Sequence, residues 1–302
     1  MSLAPRAVLV HRTTEYEELI ARHGTHGQAA FFLSSRGRDI DEVAGRHRRA
    51  QRALADVAAA VPLRWRTARV ERADLDRFLF GPEDVVVVVG QDGLVANAAK
   101  YLSGQPVVGV DTEPGRNPGV LVRHGAADAA KLLPHAAAGA AGADELTMVE
   151  AVTDDGQRLC ALNEIYVGAA GHQTARYRLS SGAAPGTPAD TEAQASSGVV
   201  VGTGTGATGW LGSLRRQAGD GPRPPQPHEA RLLWFVREAW PSPTTGTSLV
   251  RGELTEEQRL WLTVESDHLV AFGDGMEGDA LGLGWGQSVR VGVAEGALRL
   301  VG

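Results

Sequence analysis

The stretch Asp84-Val-Val-Val-Val-Val-Gly-Gln-Asp-Gly-Leu94 decides how this chain folds. Five consecutive β-branched residues show no alternation of apolar and polar positions, so both faces of the strand they form must be covered. Such a strand belongs inside a parallel sheet with helices on either side. The residues that follow it, Gly90-Gln-Asp-Gly93, stand at its C-terminal end, the edge where ligands of open α/β sheets collect. Glycines there let backbone N–H groups approach phosphate oxygens closely, and a following helix N-terminus adds partial positive charge. An acid in that loop, Asp92, is badly placed to hold phosphate directly. It is well placed to accept a proton from an attacking hydroxyl. A plain strand-ending turn would also use Asp and Gly, and spacing alone leaves both readings open.

Outward from this strand the chain alternates strand and helix. Ala7–Val10 is a short apolar run, followed by a charged helical stretch through Tyr16, Leu19 and Ile20. Ile40–Ala60 places Val43, Leu54 and Val57 at helical spacing with arginines opposite, which predicts an amphipathic helix. Arg64–Val70 predicts an exposed strand, Ala96–Leu102 a helix and Pro106–Val110 the next strand. This βαβ rhythm indicates a doubly wound α/β domain over residues 1–135. The Gly/Ala stretch Ala136–Ala143 is a plausible boundary. From Leu146 short segments prevail: Leu146–Val152, Arg158–Leu162, Ile165–Val167, Ala175–Leu179, Gly198–Val201, Leu260–Val264, His268–Phe272 and Val289–Val293. These predict an antiparallel β domain over 136–302, with loops at Gly182–Ala193 and Gly219–Pro227.

Composition excludes several classes. The 302 residues are 43% hydrophobic and carry a net charge of −6, so nothing global argues for nucleic acid or an anionic membrane. Only two lysines occur, Lys100 and Lys131, and neither sits in a glycine-rich loop. That excludes a Walker phosphate loop and disfavours pyridoxal chemistry. Cys160 is the single cysteine, so no internal disulfide or multi-cysteine zinc site is expected, and its apolar neighbours suggest a buried small hydrophobe. The nine histidines show no HExxH spacing, and His23 and His26 read as surface residues in a polar stretch. No metal site is expected from side chains alone. No apolar run spans a membrane, and strand-like sequence begins too early for a signal peptide; a cytoplasmic protein is the expectation.

Two further segments could carry chemistry. Gly198-Val-Val-Val-Gly-Thr-Gly-Thr-Gly-Ala-Thr-Gly209 satisfies GxGxxG through Gly204, Gly206 and Gly209. A dinucleotide-binding βαβ unit would need a second parallel strand ending in an acid, whereas the chain after Gln217 turns proline-rich. Ligand binding through backbone N–H groups and threonine hydroxyls in another geometry fits better. Asn163-Glu164 interrupts an apolar strand, either as a bulge or edge pair or as a pair pointing into a cleft.

Taken together these segments resemble the NAD kinases, and more closely their mitochondrial-type branch. That family carries a GGDGT loop after a buried strand, a Gly-Val-Asn-Thr-Asp-Pro strand end, an Asn-Glu pair and a Thr-Gly-Ser-x-Ala-aromatic segment, in that order. Here they stand as Gly90-Gln-Asp-Gly-Leu94, Gly109-Val-Asp-Thr-Glu-Pro114, Ala161-Leu-Asn-Glu-Ile165 and Gly204-Thr-Gly-Ala-Thr-Gly-Trp210, with similar touches at Thr13–Glu17 and Asp274-Gly275. The resemblance implies a Rossmann-like N-terminal domain, a sandwich-like C-terminal β domain whose tail returns to the first, and a homo-oligomer. It implies phosphoryl transfer from ATP with Mg²⁺ to the adenosine ribose 2′-hydroxyl of NAD. Carried over, Asp92 would be the catalytic acid of the loop, and Gly90 and Gly93 would shape it. Asn163 and Glu164 would bind the dinucleotide. Thr205 and Gly206 belong to the same binding segment, Thr208 and Trp210 would line the adenine side, and Ser213 is a further candidate.

Four positions depart from that pattern. Gln91 replaces a loop glycine, and a left-handed φ there would cost about 1–2 kcal/mol. Leu94 replaces a threonine, Gly209 an alanine and Asp111 an asparagine. The alternatives to NAD phosphorylation are therefore a kinase of another hydroxyl substrate in the same fold and a non-catalytic nucleotide-binding homologue.

Overall fold

The computed structural model describes residues 4–116, 119–185, 190–219 and 222–302. It is a mixed α/β protein of two compact units, one formed by Met1–Asp144 with Arg299–Gly302 and the other by Glu145–Leu298.

The first unit runs β1 (Arg6–His11), α1 (Glu15–His23), α2 (His26–Ser34), α3 (Ile40–Ala60), β2 (Arg66–Glu71), β3 (Asp84–Gly90), α4 (Asp92–Ala99), β4 (Pro106–Asp111) and α5 (Ala129–Ala137). Its strands lie in the order β2-β1-β3-β4, all parallel. β3 is buried from Asp84 to Val89, as its five valines require. Val85, Val87 and Val89 join Leu54 and Val57 of α3 and Leu133 of α5 in one apolar core. α4 packs against β1, β3 and β4. Asp84, 1% exposed, is the buried acid at the start of β3, and it takes a two-pronged contact from the Arg6 guanidinium at 2.8 and 2.6 Å.

The second unit contains β5 (Ala143–Thr153) from Glu145 on, β6 (Arg158–Ala161), β7 (Glu164–Gly168), β8 (Ala175–Gly182), β9 (Glu192–Ser196), β10 (Val199–Gly202), α6 (Trp210–Gln217), β11 (Arg231–Val236), β12 (Arg251–Thr255), β13 (Arg259–Val264), β14 (His268–Gly273), β15 (Met276–Gly284) and β16 (Ser288–Val301) as far as Leu298. Six of these form an antiparallel sheet in the order β12-β11-β10-β7-β14-β15, while β16, β13, β8 and β9 pair antiparallel in another. The period of two sorts side chains between faces. Ile165, Val167, Val199, Val201, Leu232 and Trp234 join Tyr177, Leu179, Leu260 and Leu262 in a core between the sheets. Tyr166, Val200, Leu233 and Phe235 point the other way and are covered by Leu211, Leu214 and Trp210 of α6. At the end of the chain, Arg299 and Leu300 pair in parallel with Pro106 and Val107 of β4.

Several expectations need correction. The helix after β3 begins at Asp92, not Ala96, so Gln91 is the only residue between strand and helix. His23 is no simple surface residue: its ring packs 4.4 Å from that of Phe32, a residue of the unforeseen helix α2. Cys160 is half-exposed beside Arg158, because position 160 faces away from the core that holds Leu159 and Ala161. Of the two loops expected from composition, residues 186–189 and 220–221 lie outside the described residues. Among the described residues no helix is long and apolar enough to cross a membrane.

Candidate functional site

In the first unit the candidate residues gather where β3 and β4 end. Gly90 closes β3, and a side chain added there would meet Leu94 Cδ2 at 3.0 Å. Gln91 is the N-cap of α4 with φ −140° and ψ 168°. That is extended backbone, so replacing glycine by glutamine here carries no left-handed strain. Gly93 lies in the first turn of α4 with open space where a Cβ would stand.

Asp92, the first residue of α4, accepts three backbone N–H groups. Its Oδ2 accepts the N–H of Val120 at 3.0 Å, and its Oδ1 accepts those of Leu121 and Val122 at 2.8 and 2.9 Å. These three donors belong to a strap that runs alongside the end of β4. The N–H of His124 donates to the Gly109 carbonyl at 3.1 Å, and the N–H of Asp111 donates to the His124 carbonyl at 2.9 Å. Gly109 is required by this approach, since a Cβ would lie 2.1 Å from the Leu121 carbonyl oxygen. A carboxylate offers about four lone-pair sites, so one remains for a ligand hydroxyl. Asp111, the departure from asparagine, accepts the N–H of Glu113 at 2.7 Å and so caps its own turn.

In the second unit a different set of segments converges. Asn163 lies between β6 and β7, and Glu164 opens β7. The glycine-rich segment after β10 crosses directly over them: a Cβ on Gly206 would fall 2.4 Å from the Asn163 carbonyl oxygen, and one on Gly202 3.0 Å from it. Gly204 is held in the same way, 2.4 Å from the Gln226 carbonyl oxygen. Thr203, fully buried, ties the two segments together. Its hydroxyl donates to the Leu162 carbonyl at 2.6 Å and accepts the N–H groups of Thr205 and Gly206 at 3.1 and 3.3 Å. Sequence reading missed Thr203; a threonine two residues before a run of N–H donors is the local signal that could have found it.

The polar groups of this cluster are incompletely used. The Thr205 hydroxyl is buried without a hydrogen-bond partner among the described residues. Burial, with the nearby Asp274 carboxylate adding to it, pushes the Glu164 carboxyl up to about 7. Thr208 is exposed, and its hydroxyl lies 3.5 Å from the Thr205 carbonyl oxygen. Trp210 stacks on Tyr166 with centroids 5.8 Å apart, and the Arg237 guanidinium lies 5.3 Å from the Trp210 ring centre. Ser213 is on α6, where its hydroxyl accepts from Arg216 at 3.1 Å. Gly204–Gly209 follows an antiparallel strand and forms a short 3₁₀ turn before α6, so it is not the opening of a βαβ dinucleotide unit.

The structure thus brings Asn163, Glu164, Thr205 and Gly206 into one cluster, with Gly90, Asp92 and Gly93 forming a separate one in the other unit. No family model matches the sequence, and a search of curated proteins finds no match either.

Proposed function

We propose that the chain is a NAD kinase-like phosphotransferase that moves the ATP γ-phosphate to the adenosine ribose 2′-hydroxyl of NAD or NADH. The observation that carries this reading is the convergence in the second unit. Two segments some forty residues apart, Asn163-Glu164 and the glycine-rich run through Gly206, share one backbone-to-backbone contact that only glycine permits. This gives a polar cluster whose buried Thr205 hydroxyl has no hydrogen-bond partner among the described residues. On this reading the parallel unit is a Rossmann-like domain, and Asp92 at the β3 edge orients the acceptor hydroxyl with its remaining lone pair. Gly90 and the first turn of α4 offer N–H groups to the triphosphate. Magnesium enters with the phosphates of ATP, since such ions are held by one or two carboxylates and the substrate rather than by a protein cage.

A second reading, a nucleotide-binding protein without turnover, is favoured by one observation: the Asp92 carboxylate already accepts three backbone N–H groups. The two are separated by incubating the protein with NAD, ATP and Mg²⁺ and measuring NADP with an NADP-specific dehydrogenase, alongside calorimetric binding of NAD. NADP formation supports the kinase. NAD binding without NADP selects the second reading, and neither result leaves both without support.

A further inference from the structure

Asp274 and Gly275 form a two-residue turn between β14 and β15, with φ of 53° and 66°. That pair of left-handed residues suits the twist of an antiparallel hairpin. The turn lies closer to the Asn163-Glu164 segment than a hairpin needs. A Cβ on Gly273 would sit 2.6 Å from the Ala161 Cβ. The Asp274 Oδ2 accepts the N–H of Leu162 at 2.8 Å, and Oδ1 accepts the N–H groups of Asn163 and Glu164 at 2.7 and 3.4 Å.

The carbonyls of the same three residues are fixed as well. That of Leu162 accepts from the Thr203 hydroxyl at 2.6 Å, that of Asn163 from the Thr203 N–H at 2.9 Å, and that of Glu164 from the Asp274 N–H at 3.1 Å. Every backbone polar group from Leu162 to Glu164 is therefore accounted for by Thr203 and Asp274, apart from any ladder bonds that β7 adds. Leu162 and Asn163 belong to neither adjoining strand, so this clamp stands in for a ladder. A turn alone has no need of the carboxylate, because Asn-Gly serves the same backbone. Placing a second acid beside half-buried Glu164 is unfavourable, and it adds to desolvation in holding Glu164 in its neutral form.

We infer that Asp274 is the positioning residue of this site, its carboxylate fixing the Leu162–Glu164 backbone so that Asn163 and Glu164 meet the dinucleotide at set angles. The inference rests on the proposed function for the identity of the ligand, and on geometry for the clamp.

The test uses the full chain with Asp274→Asn and Asp274→Gly. Both residues tolerate a left-handed φ, so the turn survives while the carboxylate is lost. Three readouts are taken: the amide resonances of Leu162, Asn163 and Glu164, the Kd for NAD by calorimetry, and KM for ATP. The expected result is displaced amide resonances at those three positions, NAD binding at least tenfold weaker in Asp274→Gly and less so in Asp274→Asn, and KM for ATP within twofold. NAD binding within twofold of the unaltered protein in both variants would overturn the inference while leaving the proposed function standing. Failure of the unaltered protein to bind NAD at all would instead sink the proposed function, and the ligand assignment with it. Unmoved amide resonances would overturn the clamp whatever the ligand.

Discussion

Asp92 has a structural load that can be measured apart from any chemistry. In Asp92→Ala, the N–H groups of Val120, Leu121 and Val122 lose their acceptor together. Val120 is 46% exposed and water can replace the lost bond, whereas Leu121 and Val122 are each 3% exposed. Two buried donors left without a partner cost about 1–3 kcal/mol each, so the substitution destabilises the first unit by about 2–6 kcal/mol. For a unit of this size that lowers the unfolding temperature by roughly 5–20 °C. Asp92→Asn behaves differently. Its remaining oxygen keeps Leu121 and Val122, the amide group faces exposed Val120, and the loss stays below about 1 kcal/mol. Differential scanning calorimetry with hydrogen exchange at residues 120–122 reads both effects. Asp92→Ala unfolding within about 0.5 kcal/mol of the unaltered protein, the ordinary scatter of surface substitutions, with protected Leu121 and Val122 amides, would show that Asp92 carries no such load.

Three other outcomes are expected. Gly206→Ala forces a methyl to 2.4 Å from the Asn163 carbonyl oxygen and should cost at least about 1–3 kcal/mol. Gly93→Ala meets open space inside a helix and should gain about 0.5–1 kcal/mol; urea unfolding of the two variants gives opposite signs, and matching signs would contradict the geometry. Thr203→Val strips two N–H groups and a carbonyl of their buried partner and should cost about 2–4 kcal/mol, whereas Thr203→Ser keeps the hydroxyl and recovers most of it. Glu164 keeps its proton in the folded state up to about pH 7 against 4.5 for an ordinary glutamate, so the folded state binds more protons across that window. Its contribution is fully present below pH 4.5, fades as pH rises to 7 and is then absent, an effect of at most about 3 kcal/mol. Glu164→Gln should therefore be the more stable protein at pH 8 relative to pH 5, and a pH-independent difference from the unaltered protein would count against a neutral Glu164.

Much of the fold was legible because burial leaves a pattern in the residues. Five valines name β3, and the spacing of Val43, Leu54 and Val57 names α3 over its observed span. Helix α2 escaped because His26–Ser34 carries its apolar residues, Ala29 to Leu33, as a block rather than at helical spacing. Only the Thr25 side chain, which accepts the Gln28 N–H, marks its start. β15 escaped for a related reason: Met-Glu-Gly-Asp-Ala-Leu-Gly-Leu-Gly has almost no buried face. At the candidate site the polar residues could be picked out by type, but their partners could not. Asp92 is met by backbone 28 to 30 residues away and Asp274 by backbone 110 to 112 residues away. A backbone N–H has no residue identity, so such clamps leave no signature in the sequence. The strain feared at Gln91 vanished for the opposite reason, since α4 starts one residue later and leaves Gln91 extended.

Following the γ-phosphate itself decides whether this chain phosphorylates NAD. The protein is incubated with γ-labelled ATP, Mg²⁺ and NAD or NADH, and the product is separated and its phosphate position assigned by NMR, with Asp92→Asn in parallel. Label is expected on the adenosine ribose 2′-oxygen with the unaltered protein, and is expected to be lost in folded Asp92→Asn. Unlabelled dinucleotide from the unaltered protein with both acceptors, or transfer undiminished in Asp92→Asn, would contradict that expectation.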